Sequence, residues 1–213
     1  MLSSFALFWK ASRASWIAFL LAVLFIAFLK NKKLVLYLLI FLIIIGIFLP
    51  APIKIRGMAL FTPAAWMTRI ELWKGAVGIG EDFPIFGAGL GMYEKLLYDY
   101  APAGGYSEGR IHLHAHSTYL EILSETGLIG LIAFLWIFVI FFKKSISAIK
   151  HDNSDLKIIR LGLTGSILAT LIFANATSII IVGLQDAVIF WFVFGIALGY
   201  IDLNPSRVSC KNM

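Results

Sequence analysis

Five hydrophobic runs, separated by polar segments, limit the folds that this chain can adopt. They are predicted as membrane-spanning helices over residues 14–29, 34–49, 118–142, 158–182 and 187–201. Of the 213 residues, 60% are hydrophobic and only 14% are charged, and the mean hydropathy is +0.90. Soluble globular proteins are roughly half apolar and a quarter charged. The sequence therefore predicts an all-α polytopic membrane protein with about five transmembrane helices.

We predict a single membrane domain over residues 1–213, because the sequence shows no internal repeat, low-complexity tract or second domain. Basic residues ahead of the first run raise the alternative of a signal peptide. No small-x-small cleavage site follows that run, so a retained span is the preferred interpretation. Met1 lies very close to this span, and five spans are an unusual layout for a complete protein of this kind. We therefore expect an N-terminally incomplete chain.

The basic residues lie near the ends of the hydrophobic runs. A formal net charge of +6 is compatible with nucleic-acid binding, but its distribution indicates contact with membrane lipids and no nucleic acid. The net charge is about +7 on the side that carries Lys30–Lys33 and the 143–157 connector, and about +1 on the opposite side. The first side is therefore predicted to be cytoplasmic. The 51–117 loop is predicted to be extracytoplasmic, which in a bacterium with two membranes means periplasmic.

The 51–117 loop is predicted to contain short helices. Thr68–Ala76 has the pattern of an amphipathic helix, with Arg69 at the edge of the apolar stripe. The residues expected on that stripe are Ile70, Trp73 and Val77.

A glycine-rich stretch follows, from Asp82 to Tyr93. Its Gly87-x-Gly89-x-Gly91 pattern superficially resembles a dinucleotide-binding loop. That motif needs a strand–turn–helix unit and a later acidic residue, and both are missing. We predict that these glycines permit a tight backbone path near the bilayer.

Three histidines, His112, His114 and His116, directly precede the third hydrophobic run. On an extended segment their side chains would point the same way, as in a metal site, and Asp99 or Glu108 could supply the further ligand that zinc needs. An interfacial cluster without a ligand explains the pattern equally well. A catalytic base is a third interpretation, because the ordinary pKa of histidine lies near working pH.

Two arginines lie next to apolar spans, where a charged group is costly. Such an arginine usually extends to the lipid headgroups or binds an anion in a cavity. Both interpretations are open for Arg13. Arg69 could equally be the solvated edge of its helix.

The third run is expected to begin as a helix near Tyr119, because Thr118-x-x-Glu121 has the pattern of a capping box. This assigns Glu121 to the cap and leaves Glu125 facing the bundle interior or a water-filled cleft. If the helix continues, small and apolar residues share one face and the glycines admit close helix packing. These residues are Leu120, Leu123, Gly127 and Gly130.

Four motifs follow one another along the chain. They are Ser12-Arg13-Ala-Ser-Trp16, Arg69-x-x-Leu72-Trp73-x-x-Ala76, Asp82-x-Pro84-x-x-Gly87-x-Gly89-x-Gly91-x-Tyr93 and His116-Ser117-x9-Gly127-x-x-Gly130. Together they resemble the O-antigen ligase and O-antigen polymerase superfamily of bacterial membrane glycosyltransferases. The resemblance covers nearly all of this chain but only about the C-terminal half of a typical member.

The resemblance implies a donor glycan on undecaprenyl diphosphate and an acceptor hydroxyl, on lipid A–core in ligases or on a second lipid-linked glycan in polymerases. It implies that Arg69 and Arg13 bind the diphosphate, that His116 is the general base and that His114 contributes to substrate binding. It also implies activity without a metal or other cofactor. The predicted location is the bacterial inner membrane.

A ligase is the preferred interpretation, because the histidine motif matches the ligase pattern in full. A polymerase of O-antigen or exopolysaccharide is the first alternative, since only the acceptor distinguishes the two. A non-catalytic channel or transporter subunit would need paired ionisable groups deep in the spans. A metal-dependent hydrolase would use the three histidines.

Overall fold

The computed structural model describes residues 13–48, 63–101, 114–152, 154–178, 180–181 and 184–202. Within these ranges the chain is all-helical, with seven helices and no strand. The helices are α1 (Arg13–Lys30), α2 (Lys32–Phe48), α3 (Pro63–Asp82), α4 (Met92–Tyr100), α5 (Thr118–His151), α6 (Leu156–Phe173) and α7 (Leu184–Asp202). Each of the predicted spans overlaps one helix. Helices α3 and α4 lie within the predicted 51–117 loop, and α3, with 20 residues, extends well beyond the helix predicted over Thr68–Ala76.

Two of the described helices, α5 and α6, are long and apolar enough to cross a membrane. Shorter apolar stretches form most of α1 and α7. The run predicted over 158–182 is helical only to Phe173, because the chain then turns back onto the start of α5. There the amide of Thr118 donates to the carbonyl oxygens of Ala174 and Thr177, at 2.8 and 3.2 Å. The turn thus supplies acceptors for a helix start.

Helix α5 is broken at Gly127, which has φ 67° and ψ −167°. Beyond the break, the Leu128 amide donates to the Pro84 carbonyl at 2.8 Å, and the Ile129 amide donates to the Ile85 carbonyl at 3.3 Å. These amides therefore have partners outside their own helix. A β-carbon at residue 127 would overlap the backbone of Ile85, so the close approach requires glycine.

The glycine-rich segment, residues 83–91, supplies donors for carbonyl groups of α5 that lie before the break and have lost their helical partners. The Ala88 amide donates to the Ser124 carbonyl and the Gly89 amide to the Glu125 carbonyl, both at 2.9 Å. Gly87 also has a positive φ, 71°, and a β-carbon there would overlap the backbone of Glu125. The segment around Gly87 and the segment around Gly127 therefore exchange backbone hydrogen bonds. The tight glycine path is confirmed, whereas the helix-packing role predicted for Gly127 is wrong, because its partner is a loop.

An aromatic cluster packs α5 against α7. Phe138 lies at its centre, with ring centroids 5.0 Å from Phe134 and 5.4 Å from Phe194. Helix α1 packs along α6, where Ile26 fills the space that a side chain at Gly165 would need. Helix α2 contacts α1 and buries none of its side chains.

A buried ion pair closes the opposite end of the bundle. Arg160 donates to the carboxylate of Asp152 and, through Nε, to the Tyr200 carbonyl at 2.9 Å. Hydrogen bonds from Ser154 to Asp152 lower the pKa of that carboxyl, and the Arg160 guanidinium lowers it further. The α5–α6 connector and the end of α7 thus lie together, away from the start of α5.

A second, smaller core joins α3 and α4. Leu72, Ile79, Tyr93 and Leu97 are fully buried in it, and the Tyr93 hydroxyl donates to the Leu72 carbonyl at 3.0 Å. The face of α3 that is buried in this core is therefore not the predicted stripe. Its members Ile70 and Val77 are exposed, because α4 covers the neighbouring face of the helix.

Candidate functional site

A short strap, residues 114–117, carries two of the predicted histidines between the small core and α5. Ala115 is fully buried against the α3–α4 core, which anchors the strap. His114 is half-buried on one side of this anchor, and His116 is exposed on the other. His116 has φ 49°, a left-handed conformation that histidine adopts more often than most residues. His112 lies outside the described residues.

The carboxylate of Glu121 ties this strap to α5 and to the turn after α6. It accepts hydrogen bonds from the Ala115 amide at 3.2 Å and from the Ser178 hydroxyl, and its Oε1 lies 3.2 Å from Nδ1 of His114. Only 4% of its side chain is exposed, so these partners compensate the cost of burying a carboxylate.

The predicted capping box is therefore wrong. Helix α5 begins at Thr118 with Ser117 as its N-cap, and no side chain caps it. The hydroxyl of Thr118 instead donates to the Thr177 carbonyl, at 2.9 Å. The carboxylate of Glu121 instead has its partners in two separate segments, the strap and the turn that holds Ser178.

His116 and Arg69 lie close enough to interact electrostatically. Partial desolvation by the surrounding protein lowers the pKa of His116 below its ordinary value, and the positive charge of Arg69 lowers it further. Glu121 acts in the opposite direction as the smallest of these effects. The neutral imidazole is therefore the favoured form at neutral pH, and this form can accept a proton.

An open cleft of about 570 Å³ lies between the start of α4 and the first turns of α5. His114 and Glu121 line it on the strap side, and Glu125 lines it next to the break in α5. The carboxylate of Glu125 lies at the N-terminus of α4, where it accepts the Tyr93 amide at 3.4 Å. Exposed amides at a helix N-terminus favour such a negative group.

The sequence model of the O-antigen ligase family matches residues 1–135, well over half of the chain. This chain belongs to the O-antigen ligase family. Among curated proteins and among solved structures, nothing matches it. The family consists of membrane-associated ligases and polymerases of the glycosyltransferase type.

The matched part of this O-antigen ligase family member includes every residue that the sequence predicts for the site. The structure brings Arg69, His114 and His116 together at the polar end of α5. Arg13 begins α1, and its side chain lies outside the described part of the structure. The cleft lining includes His114 but neither Arg69 nor His116.

Two polar residues of this site were not predicted to take part in it. Glu121 was assigned to a helix cap, although a carboxylate one turn from Glu125 in an apolar run is itself a signal of a special environment. Ser178 gave no signal, because a single serine near the end of an apolar run is common. Among the described residues, no three histidine, cysteine or acidic side chains are grouped as metal ligands would be.

Proposed function

We propose that this member of the O-antigen ligase family transfers a glycan from undecaprenyl diphosphate to a hydroxyl acceptor, with lipid A–core as the ligase-type acceptor. The observation that carries the proposal is the proximity of a permanent cation, Arg69, to His116, whose pKa is lowered, at the polar end of an apolar helix. Such a transfer needs stabilisation of the departing diphosphate and removal of a proton from the acceptor hydroxyl.

Arg69 binds the diphosphate in this proposal. A guanidinium stays charged at all working pH values, and its planar donors match two phosphate oxygens at once. Arg13 contributes a second cation to the same group. Arginines would then supply the charge neutralisation that Mg²⁺ provides in other phosphate chemistry.

His116 acts as the general base. Its neutral imidazole takes the proton of the acceptor hydroxyl, the oxygen attacks the anomeric carbon, and the bond from that carbon to the diphosphate breaks. Attack opposite the leaving group inverts the anomeric configuration. A positioned base of this kind contributes roughly 10²–10⁴-fold to a rate.

The proposed location is the bacterial inner membrane, with five spans and the 51–117 loop on the periplasmic side. The charge asymmetry supports this orientation. The contacts of Arg160 with Asp152 and Tyr200 are consistent with its pattern of spans, because they bring the α5–α6 connector and the end of α7 to the same end of the bundle.

A polymerase remains the alternative, because the same two roles serve transfer to a second lipid-linked glycan. The channel interpretation is less favoured. In the described ranges, the one ion pair with both partners almost fully buried, Asp152 with Arg160, lies at a helix end and not deep in a span.

The test measures donor binding and glycan transfer separately in purified protein. Arg69→Lys keeps the charge but loses the planar fork, so donor binding and transfer should both fall. His116→Ala should lower transfer and leave donor binding nearly unchanged. Normal transfer by Arg69→Lys, or lost donor binding in a well-expressed His116→Ala, would contradict these roles.

Two matched controls come from exposed positions. Lys74→Ala removes a cation from the same helix as Arg69, where it pairs with Glu71 at 2.9 Å. His151→Ala removes an exposed histidine from the far end of α5. Both variants should bind donor and transfer glycan as the unaltered protein does.

A further inference from the structure

The pairing of His114 with Glu121 fixes which ring nitrogen can meet a ligand. Glu121 lies next to Nδ1, so this nitrogen is the one that carries a proton toward the carboxylate. In the neutral ring, Nε2 is then an acceptor. The His114 side chain is 31% exposed and lines the cleft, whereas Glu121 is almost completely covered.

The rest of the cleft combines apolar walls with further acceptors. Ile122 and Phe134 of α5 contribute apolar surface, and the carboxylates of Glu94 and Glu125 contribute oxygen acceptors. Within the described part of the chain, no lysine or arginine lines it. The volume of about 570 Å³ falls within the range of roughly 300–1,000 Å³ typical of small-molecule sites.

This chemistry suits one class of ligand and disfavours another. A sugar ring offers hydroxyl donors at its edge and C–H groups on its faces, which match the acceptors and the apolar walls. A phosphate has no such donors and would meet carboxylates without a cation. The cleft is therefore suited to a sugar ring, and the cation that would bind a phosphate, Arg69, lies outside its lining.

We propose that the cleft is a subsite for an unphosphorylated sugar ring of the acceptor, with Nε2 of His114 accepting one of its hydroxyl groups. Glu121 is the positioning residue, because it fixes the ring of His114 and, through Ala115 and Ser178, the two segments beside it. The inference rests on the proposed function for the identity of the acceptor. Binding of a sugar to the cleft can be measured without any transfer reaction.

The binding experiment uses the full chain in detergent and two probes. One is a core oligosaccharide freed of lipid and phosphate, and the other is inorganic pyrophosphate. We expect the oligosaccharide to bind without competition from pyrophosphate, and His114→Ala to weaken it about tenfold, the size of one hydrogen bond. Arg69→Gln should weaken pyrophosphate only. Competition between the probes, no oligosaccharide binding, or unchanged binding in His114→Ala would overturn the proposal.

The positioning role of Glu121 is tested by transfer kinetics. Glu121→Gln keeps the shape of the side chain but turns its amide hydrogens toward other hydrogen-bond donors. The KM for the acceptor should therefore rise about tenfold, while kcat and the KM for the glycan donor change less than twofold. Ser178→Ala, which leaves the His114 contact in place, keeps the test valid if Glu121→Gln does not fold, and should raise the same KM by a smaller factor. Equal changes in both KM values would overturn the positioning role.

The matched control is Asp186→Asn. Asp186 is an exposed carboxylate that lines a separate cleft of about 220 Å³ between α6 and α7. Its substitution should leave both probes and both KM values unchanged. If the unaltered protein transfers no glycan yet binds the oligosaccharide as described, the proposed function fails and the sugar subsite stands.

Discussion

The amide of Gly89 donates to the carbonyl oxygen of Glu125 at 2.9 Å, although a helix would normally satisfy that carbonyl from within. The same residue, Glu125, holds the N-terminus of α4 with its carboxylate. One residue thus connects the glycine-rich segment, the break in α5 and the short helix beside the cleft. The shape of the candidate site depends on this connection.

Substitution of Gly87 tests that connection. Gly87→Ala places a β-carbon in the backbone of Glu125 and also strains a positive φ, so we expect a loss of more than about 3 kcal/mol of stability. Gly91→Ala is the control, because it has the same kind of φ but open space around it, and should cost only about 1–2 kcal/mol. Thermal unfolding in detergent measures both, and equal effects would contradict the packing argument.

The pH dependence of transfer should report the lowered pKa of His116. A base works in its neutral form, so the rate should stay level above about pH 6.5 and fall only as the pH drops through the lowered pKa. Removing the nearby cation in Arg69→Gln should raise this pKa and move the acidic limb to higher pH. Arg69→Lys should move it much less. An NMR titration of His116 checks the same shift without turnover.

Stability at low pH should depend on Asp152. Its lowered pKa contributes stability that is present above the ordinary pKa of about 4 and is lost as the pH falls through the lowered value. Asp152→Asn leaves Arg160 buried without a counter-charge and should cost about 3–5 kcal/mol at neutral pH. Asp155→Asn, at an exposed N-cap without a side-chain hydrogen bond, should change stability by less than about 0.5 kcal/mol.

The orientation in the membrane is tested by reporter fusions. A fusion after Gly105 should report the extracytoplasmic side, and a fusion after Asn153 should report the cytoplasm, because the basic connectors stay inside. A cytoplasmic signal from the Gly105 fusion would overturn the orientation. The proposed meeting of periplasmic donor and acceptor would fall with it.

Metal removal distinguishes the transferase from a metal-dependent hydrolase. We expect glycan transfer by the full-length protein to continue in EDTA, because arginines supply the positive charge in the proposed mechanism. Loss of activity that zinc restores would favour a metal site at the histidine cluster. A zinc analysis of the purified protein provides the independent check.

The sequence predicts the local structure of this chain well, because hydrophobic runs determine where helices form. The helix around Arg69 and the tight path of Gly87–Gly91 follow from local patterns in the same way. The partners of Glu121 could not be predicted, since one of them, Ser178, lies far along the chain. The buried face of α3 was missed for the same reason, because its cover is supplied by α4.

The two segments that exchange backbone hydrogen bonds have the same internal spacing. In one, the acceptor is Pro84 and the donor, Ala88, follows four residues later; in the other, the acceptor is Ser124 and the donor is Leu128. The two stretches therefore fit only at matching lengths. Inserting or deleting a single residue in either one would shift every donor past its acceptor and leave these backbone groups without their partners. The length of these stretches is thus as tightly constrained as their glycines, and engineered insertions at this end of α5 should be placed outside them.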